Sequence, residues 1–330
     1  MMETLEGTDL CFPQLLNTSC RKTQRSHSET ILTYIVLSSI SLLTATLNLL
    51  VIISISHYKQ LHTPTNLLLL SLAVSDFLVG LLMFFQIVLI DGCWFLGDLT
   101  CTLYHVFDYI ITSASIGTMV LISVDRYVAI CDPLHYSTKV TQTRVRICVC
   151  LCWMCSALCH SLLLKDNLEQ PGRYTSCTGE CVVVIDYIAG LADLLLSFIG
   201  PVTVIIVLYM RVFVVAVSQA RAMRSHITAV TLQCSVKVTA KKSEMKAART
   251  LGVVIAVFLI CVCPYFGVAL TGQDTLLNAS SAAFVICLFY FNSCLNPVIY
   301  AFFYPWFRKS IKLIVTLQIL KPGSCEANIA

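Results

Sequence analysis

Three acids in this chain stand where an acid is costly. Asp76, Asp108 and Asp193 each interrupt a long apolar run, and Asp125-Arg126 closes the run that holds Asp108. An Asp at the centre of a bilayer costs roughly 2.5–3.5 kcal/mol on insertion scales, so such residues are functional candidates by default. Asp76 has no basic residue in its own run. A monovalent cation such as sodium would satisfy it, as would a polar network made with Ser115, Asn292, Ser293 and Asn296. The plainer alternative is a protonated structural Asp. Asp108 lies about two helical turns beyond Cys101, and Asp193 stands ahead of Pro201. Neither has a partner readable in its own run. Either alone has a structural explanation; two acids opening into one dry pocket call for a cationic ligand. Asp125 and Arg126 can hold one another until a partner separates them, or they form an ordinary interfacial pair.

Such acids need membrane spans to position them. Hydrophobic residues make up 57% of the 330 and charged residues 12%, and mean hydropathy is +0.82. A soluble domain runs at about 45–50% apolar and 25% charged. A soluble enzyme, a disordered chain and a coiled coil are therefore excluded. A spanning helix needs about 20 apolar residues, and seven runs qualify: 31–56, 65–90, 99–124, 147–164, 182–210, 250–273 and 279–303. The fourth reaches back towards Thr143, and the fifth holds Asp186 as well as Asp193. Residues 1–30 are polar, which predicts no cleavable signal peptide and an extracellular N-terminus. Only Arg21, Lys22, Arg25, Lys165 and Arg173 of the 22 basic residues then fall outside the cell, as the positive-inside rule requires. The expected fold is an all-α seven-transmembrane bundle over 31–304, followed by a short interfacial helix and cytoplasmic tail over 305–330. The net charge of +4 is spread over a membrane protein, and no nucleic-acid partner is expected.

Of the 18 Cys, most fall inside spans. Cys148, Cys150, Cys152, Cys155 and Cys159 crowd the fourth. At helical spacing they spread around the cylinder instead of converging on an ion, so they read as small apolar filler and no metal site is expected. Cys11, Cys20, Cys93, Cys101, Cys177 and Cys181 belong to the oxidising outer side. Cys101 could tie the second outer loop to span three, and the Cys177/Cys181 spacing lets that loop also hold the N-terminus. Asn17-Thr18-Ser19 is a glycosylation candidate; Asn278-Ala279-Ser280 sits too near a helix start. Cys325 lies far from Phe307 and is not expected to carry lipid. An organic-cation transporter is the rival reading, weakened by the lack of repeats. An enzyme is not expected: His105 and His160 are lone and read as packing residues.

One mark per span resembles the rhodopsin-like (class A) G protein-coupled receptors: Asn48; Leu72-Ala73-Val74-Ser75-Asp76; Asp125-Arg126-Tyr127; Trp153; Pro201 and Tyr209; Phe258 with Cys261-Val262-Cys263-Pro264; and Asn296-Pro297-Val298-Ile299-Tyr300. The stretch from Asn292 through Asn296-Pro297 to Tyr304-Pro305-Trp306-Phe307 is similar to the fingerprint of the trace amine-associated receptors. Two positions depart from the family pattern. Val262 stands where a Trp is usual, and Leu47 where a Gly usually precedes the span-one Asn.

The resemblance implies disulfides Cys101–Cys181 and Cys20–Cys177. It implies an amine-binding role for Asp108 and a second-acid role for Asp193, a pairing similar to that of members that recognise diamines. Tyr290 is expected to donate to Asp108, with Tyr265 and Phe266 flanking the ligand. Arg126 is expected to leave Asp125 for a G protein, supported by Tyr127, Tyr209 and Tyr300, with Ile116, Pro201 and Phe258 carrying the change despite Val262. The partners implied are an amine or diamine, a stimulatory G protein that raises cyclic AMP, and the lipid bilayer. The place implied is the plasma membrane, in olfactory cilia. The basic segment 221–249 is expected to face the anionic inner leaflet, and an amphipathic helix over 304–320 to lay Trp306 and Phe307 into lipid.

Overall fold

The structure, a computed structural model, describes residues 10–22, 26–89, 92–227, 235–271 and 279–329. Asn278 and the side chains of the basic segment 221–249 lie outside the described residues. Seven helices are long and apolar enough to cross a membrane. They are α1 (His27–His57), α2 (Pro64–Val88), α3 (Asp98–Cys131), α4 (Gln142–Leu163), α5, α6 (Ser235–Thr271) and α7 (Ala279–Phe303). α5 runs from Tyr187–Asp193 through Leu194–Ile199 into Gly200–Ile227, and a short α8 (Pro305–Val315) follows α7. All seven anticipated spans are found. Among the described residues there are no strands, only isolated bridges at Leu10–Arg21 and Ser19–Thr178.

Local chemistry explains the helix starts. Ser26 accepts from the Glu29 amide, Thr63 from Asn66 with Pro64 at the first helical position, and Thr141 from Arg144. Each supplies an oxygen to an amide that the helix itself cannot satisfy. Gly97, at φ 86°, turns the chain into α3, a backbone angle that favours glycine. Asp186 falls inside the fifth apolar run, 182–210. It is the N-cap of α5, accepting from the Ile188 and Ala189 amides, so the span starts at Tyr187 and 182–186 is loop. Inside α5 the Leu194–Ile199 stretch is π-helical. Pro201 has no N–H to offer the preceding turn, and a widened turn is a common way for a helix to absorb that.

Among the described residues the bundle packs mainly through two large apolar clusters. A large inner one includes Leu72, Ile116, Met119, Phe258 and Tyr300; an outer one includes Leu37, Met83, Trp94, Tyr104 and Tyr290. α1 and α2 approach closely because Gly80 lies against the Ala45 backbone, with Ser41 Oγ donating to the Gly80 carbonyl at 2.7 Å. Small residues at such contacts let helix backbones meet. On α4 only Val145, Ser156 and His160 are buried. Cys148, Cys150, Cys155 and Cys159 are exposed and dispersed as expected, alongside exposed Leu151, Met154 and Leu158.

At the outer end the two implied disulfides are present, joined by a third, Cys11–Cys93, whose pairing the sequence left open. Asn167 clamps the second outer loop, its amide bonding both the carbonyl and the N–H of Val184. At the inner end α8 corrects an expectation. It is shorter than 304–320, and Phe307 (1% exposed) and Trp306 (9%) are buried in the inner cluster instead of reaching lipid. Only Tyr304 separates α7 from α8, so the first turn of α8 still lies beneath the bundle. The tail then folds back under α1: His57 meets Ser324 at 2.9 Å, Lys59 meets Glu326 at 3.0 Å, and Ile329 is buried.

Candidate functional site

Polar residues gather at three depths. The outermost set lines a cavity of about 900 Å³ bounded by α2 to α7 and by the second outer loop. Asp108, Asp193, Tyr265, Phe266 and Tyr290 all border it, and among the described residues no Lys or Arg does. The Asp108 Oδ1 is buried without a hydrogen-bond partner among the described residues. Tyr290 does not donate to it as expected. Its hydroxyl lies 3.5 Å from that of Tyr104, which donates to Gln86 Oε1 at 2.7 Å. Tyr104 sits one turn above Asp108 on the same face of α3 and takes up the Tyr290 hydroxyl, leaving the carboxylate facing the cavity. Phe266 stacks on Phe198 of α5 with ring centroids 3.8 Å apart, and Tyr265 meets Phe289 at 4.8 Å. These faces supply an apolar wall that a cation's chain can lie against.

Asp193 corrects the sequence reading. His160 is not lone and Asp193 is not unpaired: His160 Nε2 stands 3.0 Å from Asp193 Oδ1, and the Ser197 hydroxyl donates to the same oxygen at 2.8 Å. The Asp193/Ser197 spacing of four was readable as neighbours on one helix face. The contact to His160 crosses from α4 to α5 and leaves no local signature.

The middle set surrounds Asp76, which is fully buried. Asn296 donates to its Oδ2 at 2.8 Å, and Asn48 bridges the Thr44 and Ser293 carbonyls at 2.9 Å each, tying α1 to α7. The Oδ1 atoms of Asp76, Asn292 and Asn296 are buried with no partner among the described residues. Buried oxygens of this kind call for a water or an ion, so the residues fit a small cation. Ser115 and Ser293 are buried beside a cavity of about 20 Å³ that also touches Ile116, Phe258 and Val262. That volume suits about one water. It shares Thr112, Ile116 and Phe289 with the outer cavity, so the two abut at those residues. Pro201 is half-buried in α5.

The inner set is the Arg126 pair. Arg126 and Asp125 are bonded and buried, as expected from their adjacency. Two unforeseen residues complete it. Thr65 of α2 accepts from Arg126 Nη2 at 2.7 Å and donates to Asp125 at 3.0 Å; Tyr136 of the inner loop donates to the other Asp125 oxygen at 2.8 Å. Burial, and then the Asp125 charge, push the Tyr136 hydroxyl up from its ordinary value, so it stays a donor. Tyr209 lies over Gly252 of α6, and Tyr300 is fully buried. Tyr127 is exposed on the outside of α3. Asn17 is exposed in a turn of the N-terminal segment.

Comparisons with known proteins agree with this architecture. The family described as 7 transmembrane receptor (rhodopsin family) matches residues 47–300. The chain is 38% identical to trace amine-associated receptor 13c of Danio rerio, covering 98% of this chain and 97% of that one. It is 39% identical to trace amine-associated receptor 8a of Rattus norvegicus, over 97% and 96%. It is 37% identical to trace amine-associated receptor 6 of Homo sapiens, over 98% and 96%.

Proposed function

The chain belongs to the rhodopsin family of seven-transmembrane receptors and, within it, to the trace amine-associated receptors; from that premise we propose that it is a G protein-coupled receptor for small cationic amines, with a two-carboxylate pocket that favours diamines. The observation that carries this is Asp108. A carboxylate oxygen buried without a partner is costly unless something cationic meets it, and no Lys or Arg borders its cavity among the described residues. An ammonium would take it through a charge-assisted hydrogen bond, with Tyr265 and Phe266 against the chain.

A four- or five-carbon diamine spans roughly 6–7 Å between nitrogens by bond geometry. Adjacent helix axes lie roughly 8–10 Å apart, so one molecule can address α3 and α5 together. Bridging the two acids draws α3 and α5 together, and a ligand that binds this arrangement better shifts the population towards it. α6 then opens at its inner end, and Arg126 exchanges Asp125 for the G protein. In this proposal the G protein is stimulatory, the signal is cyclic AMP, a sodium ion sits at Asp76, and the receptor serves olfactory cilia. The alternative, a monoamine receptor in which Asp193 is structural, rests on the contact from His160 to Asp193.

The test is a cyclic AMP reporter assay in transfected cells. It compares C3–C6 diamines with length-matched monoamines on wild type, Asp108→Ala and Asp193→Ala. The proposal predicts a diamine response lost in both variants at unchanged surface expression. A monoamine-only response lost solely in Asp108→Ala overturns the diamine preference.

A further inference from the structure

We infer that His160 sets the charge Asp193 can offer, so that a second ammonium binds there only as a proton leaves. This rests on the two-carboxylate reading above. The proton count follows from the partners. His160 Nδ1 lies 2.8 Å from the Ser156 carbonyl, which can only accept, so Nδ1 carries a hydrogen. Nε2 lies 3.0 Å from Asp193 Oδ1. A bare imidazole nitrogen and a carboxylate oxygen would repel at that distance, so one hydrogen lies between them. Whichever atom holds it, the pair is neutral as a unit.

Two consequences separate diamines from monoamines. A monoamine on Asp108 leaves the pair intact, and Asp193 is not stranded as an unpaired buried charge, because His160 already compensates it. A diamine brings a second positive charge. It gains a full carboxylate only when the shared hydrogen passes to solvent. His160 is then neutral, with Nδ1–H still on the Ser156 carbonyl, and the ammonium takes the place of the lost hydrogen, donating to bare Nε2 and to the ionised Asp193 so that the two no longer face one another unscreened. The exit is open: Asp193 is 21% exposed where His160 is 2%. His160 is therefore a specificity-determining residue, and it makes diamine binding depend on pH.

Other titratable groups face the same space. Tyr109 of α3 holds its ring 5.8 Å from that of His160. Tyr104, His105 and Asp108 of α3, Tyr265 of α6, Tyr290 of α7, and Asp186 and Tyr187 at the head of α5 border the cavity. Of these, His105 is the other side chain that ordinarily changes charge near neutral pH. It lies against Cys181, 3.7 Å from its sulfur, and serves as the control.

The experiment is calorimetry on the full-length receptor in lipid nanodiscs. The probes are 1,4-diaminobutane and 1-aminobutane, in buffers of different ionisation enthalpy at about pH 6.5. Alkylamines, like lysine with its pKa of about 10.4, stay protonated there. Subtracting the monoamine cancels any proton that Asp108 exchanges. The expected result is about one more proton released per diamine than per monoamine, in wild type and in His105→Gln. Diamine affinity relative to monoamine should rise up to about tenfold per pH unit while the pair titrates. Both differences should vanish in His160→Gln, whose amide still bonds Asp193 but holds no titrating proton. A preferred diamine that releases no extra proton in wild type overturns the role of His160 and leaves the two-carboxylate reading standing. So does an extra proton that persists in His160→Gln. No diamine preference in either wild type or His160→Gln overturns both. The wild-type comparison needs no variant, so a poorly folded His160→Gln does not blur the outcome.

Discussion

A hydroxyl on the inner loop helps decide how firmly Asp125 keeps Arg126. Tyr136 donates to one Asp125 oxygen while Arg126 and Thr65 occupy the other. A hydrogen bond to a charged group contributes about 1.5–3 kcal/mol, and the half-buried position of Tyr136 favours the lower end. With the stimulatory coupling proposed above, Tyr136→Phe should therefore raise ligand-free cyclic AMP several-fold at equal surface expression, towards a ceiling of about tenfold. Thr65→Val should act in the same direction. Unchanged basal signal in both would show that these bonds survive activation. At this scale legibility depended on distance along the chain. Asp125 and Arg126 are neighbours and could be read as a pair. Thr65 and Tyr136 reach them from 60 and 11 residues away, and nothing in their local sequence says so. Asp193 shows the same limit: its position could be placed in a span, but its partner on α4 could not.

Elements were more legible than contacts, because hydropathy reports span length directly. All seven runs became helices, and the misses fell at their ends. The end of α3 was set too early because Asp125 and Arg126 are charged, yet they pair inside the helix and cost it little. The start of α5 was set too early because 182–185 is apolar, although Asp186 is the cap. Close helix approach is a property of single small residues. A Cβ added at Gly80 would lie 2.8 Å from the Ala45 backbone nitrogen, an atom that cannot move aside alone. Gly80→Ala should therefore force α1 and α2 apart, at about 1–3 kcal/mol by the measure of overpacked cores. The melting temperature of the purified receptor should drop by several degrees, and an unchanged melt would mean the contact is looser than described.

On the scale of the whole molecule, the bundle is fastened at both ends. Inside, the returning tail is held by buried Ile329 and by the exposed Lys59–Glu326 pair; an exposed ion pair of this kind contributes little, so burial is the stronger hold. Outside, two of the three bridges were implied by family likeness, while Cys11–Cys93 had no such guide, since Cys spacing alone cannot choose among pairings. Traced in order, the three bridges join segments 11–20, 93–101 and 177–181 into one closed covalent ring. A ring has redundancy that a chain of staples lacks: cutting any single link leaves all three segments attached. Trypsin cleavage after exposed Arg21 should therefore leave the N-terminal fragment bound to the receptor on a non-reducing gel. Graded reduction should release it only when both of its own bridges have opened, with a lag before the first free fragment; release without a lag would mean that one of the two is not formed. The rim of the outer cavity thus behaves as a hoop, and losing one Cys pair should cost far less than losing two.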